Sequence, residues 1–214
     1  MKERLICLLI GYGVGCIQTA WMISVLHFRK DIRNYGSGNA GTTNMARVFG
    51  AGSGVITLIL DISKGVLAVC IAGWIYGFGF ANTNLRLWAG VGVVLGHNFP
   101  FYLKFRGGKG FASSIGVWIA IDFRVFLIAA VPSLIVLFGL QYMSVTALTA
   151  MTVAFITTCF LYVGKIHGTE VILLSAFFMV MSFIRHKDNI KRLIQGKENK
   201  ITFPKTKKSE SKER

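Results

Sequence analysis

Two glycine-rich loops carry basic and polar side chains beside long apolar segments. The later loop reads Arg106-Gly107-Gly108-Lys109-Gly110. Glycine lets backbone N–H groups turn toward an anion, and lysine adds a mobile positive charge. A helix beginning at Phe111 would direct its positive N-terminal end at the same anion. The loop therefore predicts a phosphate-binding site, with a flexible basic turn as the alternative. It is not an ATP-binding P-loop, because Leu103 and Gly110 occupy the positions of its first glycine and its magnesium-binding hydroxyl.

The earlier loop reads Gly36-Ser37-Gly38-Asn39-Ala40-Gly41-Thr42-Thr43-Asn44, with Arg47 just beyond it. Ser37 and Thr43 supply hydroxyls, and Asn39 and Asn44 supply amides. Arg47 can make a bidentate contact to phosphate. The glycine spacing matches a dinucleotide fingerprint, but no strand precedes it, so that interpretation is rejected. The alternative to a ligand loop is a capping turn before the next helix.

Four further polar residues are candidates at helix ends or within apolar segments. Asp61 and Lys64 are three residues apart on a predicted helix and can pair near its inner end, where Lys64 could also serve a phosphate. His186 and Asn189 share the same spacing at the end of the last apolar segment. His186 could act as a general base, bind phosphate or be an ordinary interfacial residue. His97, beside Pro100, is expected to be structural.

The composition is that of an integral membrane protein. Of 214 residues, 53% are hydrophobic and only 15% are charged, against roughly 25% in soluble domains. The net charge of +15 is confined largely to loops and the C-terminal segment, which argues for anionic headgroups and against nucleic acid as the partner. The four cysteines lie far apart in apolar runs without histidine at ligand spacing, so neither a disulfide nor a metal site is expected.

Helices are the only credible way for these apolar segments to cross the bilayer. The predicted crossings are residues 5–28, 53–80, 85–103, 111–121, 125–142, 144–163 and 169–184. Basic residues place the 29–47 loop, the 104–109 loop and the C-terminal tail in the cytoplasm. The fold class predicted is thus an all-α membrane protein with seven crossings, an outer N-terminus and a cytoplasmic C-terminus. A five-crossing arrangement is the alternative. Residues 1–195 form the membrane domain, and 196–214 form a flexible basic tail on the headgroups.

The motifs together resemble the bacterial membrane-integral acyl-phosphate:glycerol-3-phosphate acyltransferases. The resemblance covers nearly the whole chain. It rests on the earlier glycine loop with Arg47, on the run 61–65, on Gly96-His97-Asn98-Phe99-Pro100 with 105–110, on 142–144, and on residues between Arg185 and Glu198. Three positions depart from the family pattern: Ala40 replaces proline, Thr42 replaces alanine, and Gln141 stands where a basic residue is common.

The predicted topology gathers Ser37, Arg47, Lys109, Ser144 and His186 on one side of the membrane, so the site is expected to face the cytoplasm. The resemblance implies a seven-helix fold in a bacterial cytoplasmic membrane. It implies transfer of a fatty acyl group from acyl phosphate to the 1-hydroxyl of glycerol 3-phosphate, without cofactor or metal. An enzyme that forms acyl phosphate is a candidate partner. Among site residues, it assigns catalysis to Ser37 and Arg47, substrate binding or orientation to His186 and Asn189, and attachment of the tail to Glu198. The resemblance and the loop arguments above together assign substrate or phosphate binding to a larger set of residues. This set is Gly36, Gly38, Asn39, Thr43, Asn44, Lys64, Gly107, Gly108, Lys109, Gly110 and Ser144.

The loops offer hydroxyls and cations but no carboxylate–histidine pair. We therefore hypothesise that the phosphate of the acyl donor takes the hydroxyl proton and that His186 only positions the acceptor. Two other function classes use similar features. A transporter for an organic phosphate could share the glycine loops, and a lipid-binding scaffold could share the basic loops. Product formation from acyl phosphate separates the enzyme from both.

Overall fold

The computed structural model describes residues 1–201, and within that range every regular element is helical, which confirms the all-α prediction. The α-helices are α1 Lys2–Gly15, α2 Thr19–Leu26, α3 Thr42–Phe49, α4 Ala51–Tyr76, α5 Thr83–Asn98, α6 Phe111–Ile121, α7 Phe123–Leu140, α8 Met143–Tyr162, α9 Gly168–Arg185 and α10 Lys187–Ile194. Short 3-10 turns occur at Ile32–Asn34, Phe80–Asn82 and Phe101–Leu103. Part of the predicted tail, residues 202–214, lies outside the described residues.

Among residues 1–201, five segments are long and apolar enough to cross a membrane: α1 with α2, α4, α7, α8 and α9. The other two predicted crossings are helices, but they are shorter. α5 has 16 residues and α6 has 11, which gives lengths of about 24 Å and 16 Å against a hydrocarbon core of about 30 Å. Helix covers most of each predicted crossing, but α5 ends at Asn98 and not at the predicted residue 103, because Pro100 follows and the chain turns at Phe101–Leu103. The number of crossings stays a prediction.

The first predicted crossing, residues 5–28, is not one continuous helix. α1 ends at Gly15 and α2 begins at Thr19, so the link between them leaves backbone groups without helical partners. Lys64 from α4 donates to the Ile17 carbonyl at 2.8 Å. Gln18 donates to the carbonyls of Gly96 and His97 at 3.3 and 3.0 Å. Such partners allow a helix to break inside an apolar bundle.

Glycines set the closest helix contacts. α1 and α5 run parallel, and a Cβ added at Gly11 would lie 2.0 Å from the Ala89 carbonyl oxygen. α4 and α6 also run parallel, with Gly65 against the Ser113 carbonyl at 2.2 Å by the same measure. The remaining glycines of these two contacts are Gly15, Gly92, Gly96 and Gly116. Small residues let backbones approach where lipid cannot drive association.

Polar side-chain contacts lie at two opposite ends of the helical bundle. At one end, Glu170 at the start of α9 accepts from Arg4, Asn84 and Trp88 at 2.5–2.9 Å. Tyr162 at the end of α8 donates to Asp122 at 3.1 Å. The loops that carry the predicted chemistry gather at the other end. Arg4, whose charge opposes the positive-inside assignment, is thus paired.

Two helices near the chemistry-bearing loops were not predicted. α3 follows the earlier glycine loop directly, and α10 follows α9 after His186. Beyond α10 the chain returns to the bundle, where Ile201 N–H donates to the Gln141 carbonyl at 2.8 Å. The segment predicted to be flexible from residue 196 therefore contacts the bundle as far as Ile201.

Candidate functional site

One cavity at this end brings together residues from six parts of the chain. The sequence-predicted residues that line it are Ser37, Asn39, Thr43, Asn44, Arg47, Asp61, His97, Lys109, Gly110, Ser144, His186, Asn189 and Glu198. The first residues of α3, α6 and α8 also face it. Since helix N-termini carry free N–H groups and partial positive charge, the cavity is suited to an anion.

The earlier glycine loop is shaped by Asn44. Its amide oxygen accepts from Ser37 N–H at 2.9 Å, and its amide nitrogen donates to Tyr35 O at 2.9 Å. A Cβ at Gly36, whose φ is +60°, would lie 2.2 Å from the Asn44 oxygen. Asn44 and Gly36, predicted as substrate ligands, therefore shape the loop, because the Asn44 carboxamide is already engaged by backbone.

Arg47 and Thr42 offer groups that no described residue engages. Arg47 is exposed in the last turn of α3 and makes no ion pair within residues 1–201. The Thr42 hydroxyl oxygen is buried and has no hydrogen-bond partner there. Both line the cavity. In the sequence, Thr42 stands out only as a departure from the family pattern. A prediction of helix α3 would have placed Thr42 in its first turn and indicated a ligand position.

The later glycine loop is packed on His97. A Cβ at Gly107 would lie 2.0 Å from the His97 carbonyl oxygen, and one at Gly108 would lie 2.0 Å from His97 Nε2. Gly108 N–H donates to that carbonyl at 3.0 Å. Gly107 and Gly108 do not line the main cavity, so close packing explains both. Gly110 lines it with φ of +80°, a conformation that favours glycine.

Lys109 projects from this loop toward α10. Its ammonium donates to the Asn189 side-chain oxygen. Burial lowers the pKa of Lys109 to about 8, with Glu198 opposing the shift and Arg192 adding to it. A dianionic ligand beside this ammonium would favour its charged form. Lys109 is thus a cation whose charge at neutral pH depends on its surroundings.

Glu198 occupies the centre of a polar cluster at the cavity wall. It accepts from Ser144 at 3.0 Å, from Asn189 at 2.6 Å and from Arg192 at 2.8 Å. Burial alone would raise the pKa of Glu198, but these hydrogen bonds outweigh it and lower the pKa. The carboxylate therefore ties the chain after α10 to α8, the attachment that the family resemblance implies. Ser144 and Asn189, predicted as ligands, share their polar atoms with it.

His186 sits between α9 and α10 with its ring in the cavity wall. Its Nδ1 lies 2.8 Å from the Ser182 carbonyl oxygen, which requires Nδ1 to carry a proton. Burial, with the charge of Lys109, lowers the pKa of His186 to about 4. The imidazole is then neutral at pH 7, and Nε2 is an acceptor. Such a ring can receive a hydrogen bond from a hydroxyl but is a weak general base.

Lys64 does not reach the cavity, which corrects its assignment as a phosphate ligand. Its ammonium is within 2.7–2.8 Å of Asp61 Oδ1, His97 Nδ1 and the Ile17 carbonyl. These contacts use all three N–H donors. The predicted pairing of Asp61 with Lys64 is confirmed, but the pair lies about 15 Å along α4 and not at its end. At that depth Asp61 also accepts from Thr19 at 2.7 Å, beside the α1–α2 break.

Several lining residues escaped the sequence analysis. Leu58, Phe111, Ala112 and Met143 give the cavity an apolar wall. They lie on helices that are apolar throughout, so no pattern distinguishes them from lipid-facing positions. Arg192 lies one helical turn after Asn189 on α10, and a helix prediction there would have placed both on one face.

A second, more basic cavity adjoins the first. It shares Ser37, Asn39, Lys109, Asn189 and Arg192 with the main cavity. Its other lining residues include Gly38, Arg106, Gly107, Arg185 and Lys187. Within residues 1–201, no group of three or more His, Cys, Asp or Glu side chains could hold a metal ion.

Comparisons of the whole chain with known proteins identify its relatives. The glycerol-3-phosphate acyltransferase family model matches residues 5–196. A glycerol-3-phosphate acyltransferase of Macrococcus caseolyticus is 40% identical over 200 residues, covering 92% of this chain and 97% of the relative. That of Mesorhizobium japonicum is also 40% identical over 200 residues, with 92% and 95% covered.

Two crystal structures of PlsY, an integral membrane glycerol 3-phosphate acyltransferase, share the fold. Its glycerol 3-phosphate form aligns with a TM-score of 0.83 and 31% identity, covering 93% of this chain and 96% of that one. Its lysophosphatidic acid form aligns with a TM-score of 0.80 and 29% identity, covering 93% and 95%.

Proposed function

Because this chain belongs to the glycerol-3-phosphate acyltransferase family, we propose that it moves a fatty acyl group from acyl phosphate to the 1-hydroxyl of sn-glycerol 3-phosphate. The products are lysophosphatidic acid and inorganic phosphate, and the reaction is the first acylation of phospholipid synthesis. The observation that carries this proposal is that Ser37, Arg47, Lys109, His186 and Asn189 line a single cavity.

The cavity has the charge that two phosphates need. Arg47 on α3 and Lys109 in the later glycine loop supply cations, and the N-termini of α3 and α6 add oriented N–H groups. Ser37, an exposed residue, lines the same cavity as Arg47 and offers a hydroxyl there. These groups would hold the acyl phosphate and the acceptor's phosphate together. Holding the hydroxyl near the acyl carbon lowers the barrier by ~7–11 kcal/mol in favourable cases.

The chemical step needs no cofactor, because the mixed anhydride is already activated. The 1-hydroxyl oxygen attacks the acyl carbonyl carbon, and the bond from that carbon to the phosphate oxygen breaks. The hydroxyl proton passes to the departing phosphate, which leaves as hydrogen phosphate. As the acceptor binds, His186 accepts the hydroxyl's hydrogen bond through Nε2 and orients its oxygen toward the acyl carbon, in keeping with a pKa lowered to about 4. During attack the O–H turns from Nε2 to the phosphate oxygen of the donor, which takes the proton. Arg47 and Lys109 stabilise the charge that develops on the leaving group.

The apolar wall offers a place for the donor's fatty chain. Leu58 on α4, Phe111 on α6 and Met143 on α8 line the same cavity as the cations. A chain lying there would extend from the site into the bilayer, while glycerol 3-phosphate enters from water through the basic second cavity. This arrangement brings an oily donor and a soluble acceptor to one point.

A direct assay tests the function. Purified protein in detergent is incubated with palmitoyl phosphate and labelled glycerol 3-phosphate, without ATP. We expect labelled lysophosphatidic acid. When labelled glycerol replaces glycerol 3-phosphate, we expect no labelled acylglycerol. Uptake of label into sealed vesicles without product would instead indicate a transporter. Label bound to the protein with neither product nor uptake would indicate a scaffold.

The role of His186 is tested separately. We expect His186→Gln to retain more activity than His186→Ala, since glutamine can still accept a hydrogen bond. Turnover is measured at saturating substrates across pH. Equal inactivation of both variants, with normal binding and loss of one limb of the pH profile, would make His186 the general base.

The membrane arrangement that we propose is seven crossings, with the N-terminus outside and the site facing the cytoplasm of a bacterial cell. It is supported by the gathering of basic loops at the cavity end and by the parallel course of α1 and α5. Residues 1–201 act as one unit that includes Glu198, and any separate tail begins after Ile201.

Thiol labelling in intact cells tests this arrangement. The four native cysteines are first replaced by alanine, and a new thiol is introduced at exposed Arg106 or exposed Lys165. An impermeant reagent should label Lys165→Cys in intact cells and Arg106→Cys only after lysis. The reverse pattern would invert the topology.

A further inference from the structure

A buried polar cluster lies directly beneath the two glycine loops. Asp61 and Lys64 of α4 have side chains only 1% and 4% exposed, and they pair at 2.8 Å. His97 of α5 is also buried, and its Nδ1 lies 2.7 Å from Lys64 Nζ. From sequence, Lys64 was a candidate phosphate ligand and His97 was expected to be structural. The catalytic step proposed above uses neither residue.

With Lys64 held in its charged form by the Asp61 carboxylate at 2.8 Å, the geometry determines which nitrogen of a neutral His97 carries a proton. A protonated lysine has three donors and no acceptor. Lys64 directs these donors to Asp61, to the Ile17 carbonyl and to His97 Nδ1. Nδ1 must then accept, so a neutral His97 carries its proton on Nε2. His186 has the opposite arrangement, because its Nδ1 faces a carbonyl oxygen at 2.8 Å.

The Nε2 side of His97 faces the point where the loops meet. A Cβ added at Gly108 would lie 2.0 Å from His97 Nε2 and 2.8 Å from the Ala40 carbonyl oxygen. Ala40 belongs to the earlier loop and Gly108 to the later one. Both His97 and Asp61 also line the main cavity. The imidazole is therefore in place to present an N–H donor at the junction of the loops.

We propose that Lys64 is a positioning residue that fixes His97 as its Nε2–H tautomer, so that the floor of the site presents a hydrogen-bond donor between the two glycine loops. The effect on turnover rests on the acyl-transfer function proposed above, whereas the tautomer does not. A loop displaced by about 1 Å can slow a reaction on the order of 100-fold. Lys64 acts at the site only through His97, since its own donors are all engaged below it.

A protein with native Lys64, Asp61 and His97 gives the first test. Histidine labelled with ¹⁵N is incorporated into protein carrying His27→Gln and His167→Gln, which changes two exposed histidines and leaves His97 and His186. We expect one ring protonated at Nε2 and the other at Nδ1, with His186→Gln assigning the second. A His97 protonated at Nδ1 would overturn the proposal without any assay of activity.

Substitution of Lys64 gives the second test. In Lys64→Met we expect His97 to lose its single tautomer and kcat to fall on the order of 100-fold, measured on monodisperse folded protein. Lys64→Arg, which retains donors, should restore part of both. An unchanged tautomer in Lys64→Met would reduce Lys64 to a structural partner of the helix break and overturn the proposal.

Arg86→Met is the matched control. Arg86 is another buried cation, only 6% exposed, but it lies at the opposite end of the bundle beside Thr83. Its loss should leave the His97 tautomer and kcat unchanged. If Arg86→Met changes them as much as Lys64→Met does, the effect is a general one of removing a buried charge, and the proposal fails. Should Lys64→Met fail to fold, Asp61→Asn/Lys64→Met, which removes both charges together, takes its place with the same expected outcomes.

Discussion

The two ends of the helical bundle use similar residues in different ways. At the end away from the cavity, Glu170 accepts four hydrogen bonds from Arg4, Asn84 and Trp88, and Asp122 is paired with Arg124. At the cavity end, Arg47 makes no ion pair with residues 1–201. A cluster whose charged groups are all paired, here called saturated, stabilises helix ends. A cation without an ion-pair partner, here called open, can bind an anion. Whether a charged side chain is already paired therefore distinguishes a structural charge from a ligand-binding one more clearly than the presence of charge alone.

Removing an open cation should have the largest effect. We expect Arg47→Ala to lower kcat/KM on the order of 100–1000-fold, because a donor to developing phosphate charge is lost. The matched control is Arg124→Ala, which removes an exposed arginine from a paired cluster at the other end. Initial rates with palmitoyl phosphate and glycerol 3-phosphate measure both. Comparable losses in the two variants would erase the distinction between the ends.

A pH profile sharpens the comparison at Lys109. Burial lowers the pKa of Lys109 to about 8. A lowered lysine pKa means that the charge is lost at lower pH than in water. As pH rises above about 8, kcat/KM for glycerol 3-phosphate should therefore fall, by up to about tenfold per pH unit. Lys109→Arg keeps its charge throughout and should lack this limb. An identical alkaline limb in both proteins would assign it to another group.

Breaking the saturated cluster should affect stability and leave catalysis intact. In Glu170→Gln, Arg4 loses its carboxylate partner, so we expect the thermal midpoint to fall by about 2–4 °C. The kcat/KM of folded protein should stay near that of wild type, since Glu170 is remote from the cavity. Differential scanning fluorimetry with a parallel rate measurement checks both. A large loss of kcat/KM at unchanged midpoint would show that the far end takes part in function.

The sequence allowed the helices and the main site loops to be predicted for separate physical reasons. Long apolar runs must form helices in lipid, and basic residues indicate which loops share a side. That reasoning placed Ser37, Arg47, Lys109 and His186 together, and the structure puts all four around one cavity. Composition and charge suffice for this level of description.

Contacts between distant segments could not be predicted in the same way. The break before Thr19 depends on partners from α4 and α5, and neither is adjacent in sequence. Spacing predicted the pair of Lys64 with Asp61, but it could not show that the remaining donors of Lys64 are used by Ile17 and His97 and leave none for phosphate. The partner of Arg4 is equally distant in sequence, because Glu170 lies 166 residues later.

The glycine contacts between α1 and α5 and between α4 and α6 also limit which parts of the molecule can move. Backbones in such close contact cannot slide without steric overlap. These four helices should therefore behave as one rigid body during turnover. Product release then falls to the earlier glycine loop, α10 and the segment around Glu198, whose attachments are a few side-chain hydrogen bonds. We expect the slow conformational step of the cycle, if one limits the rate, to occur there.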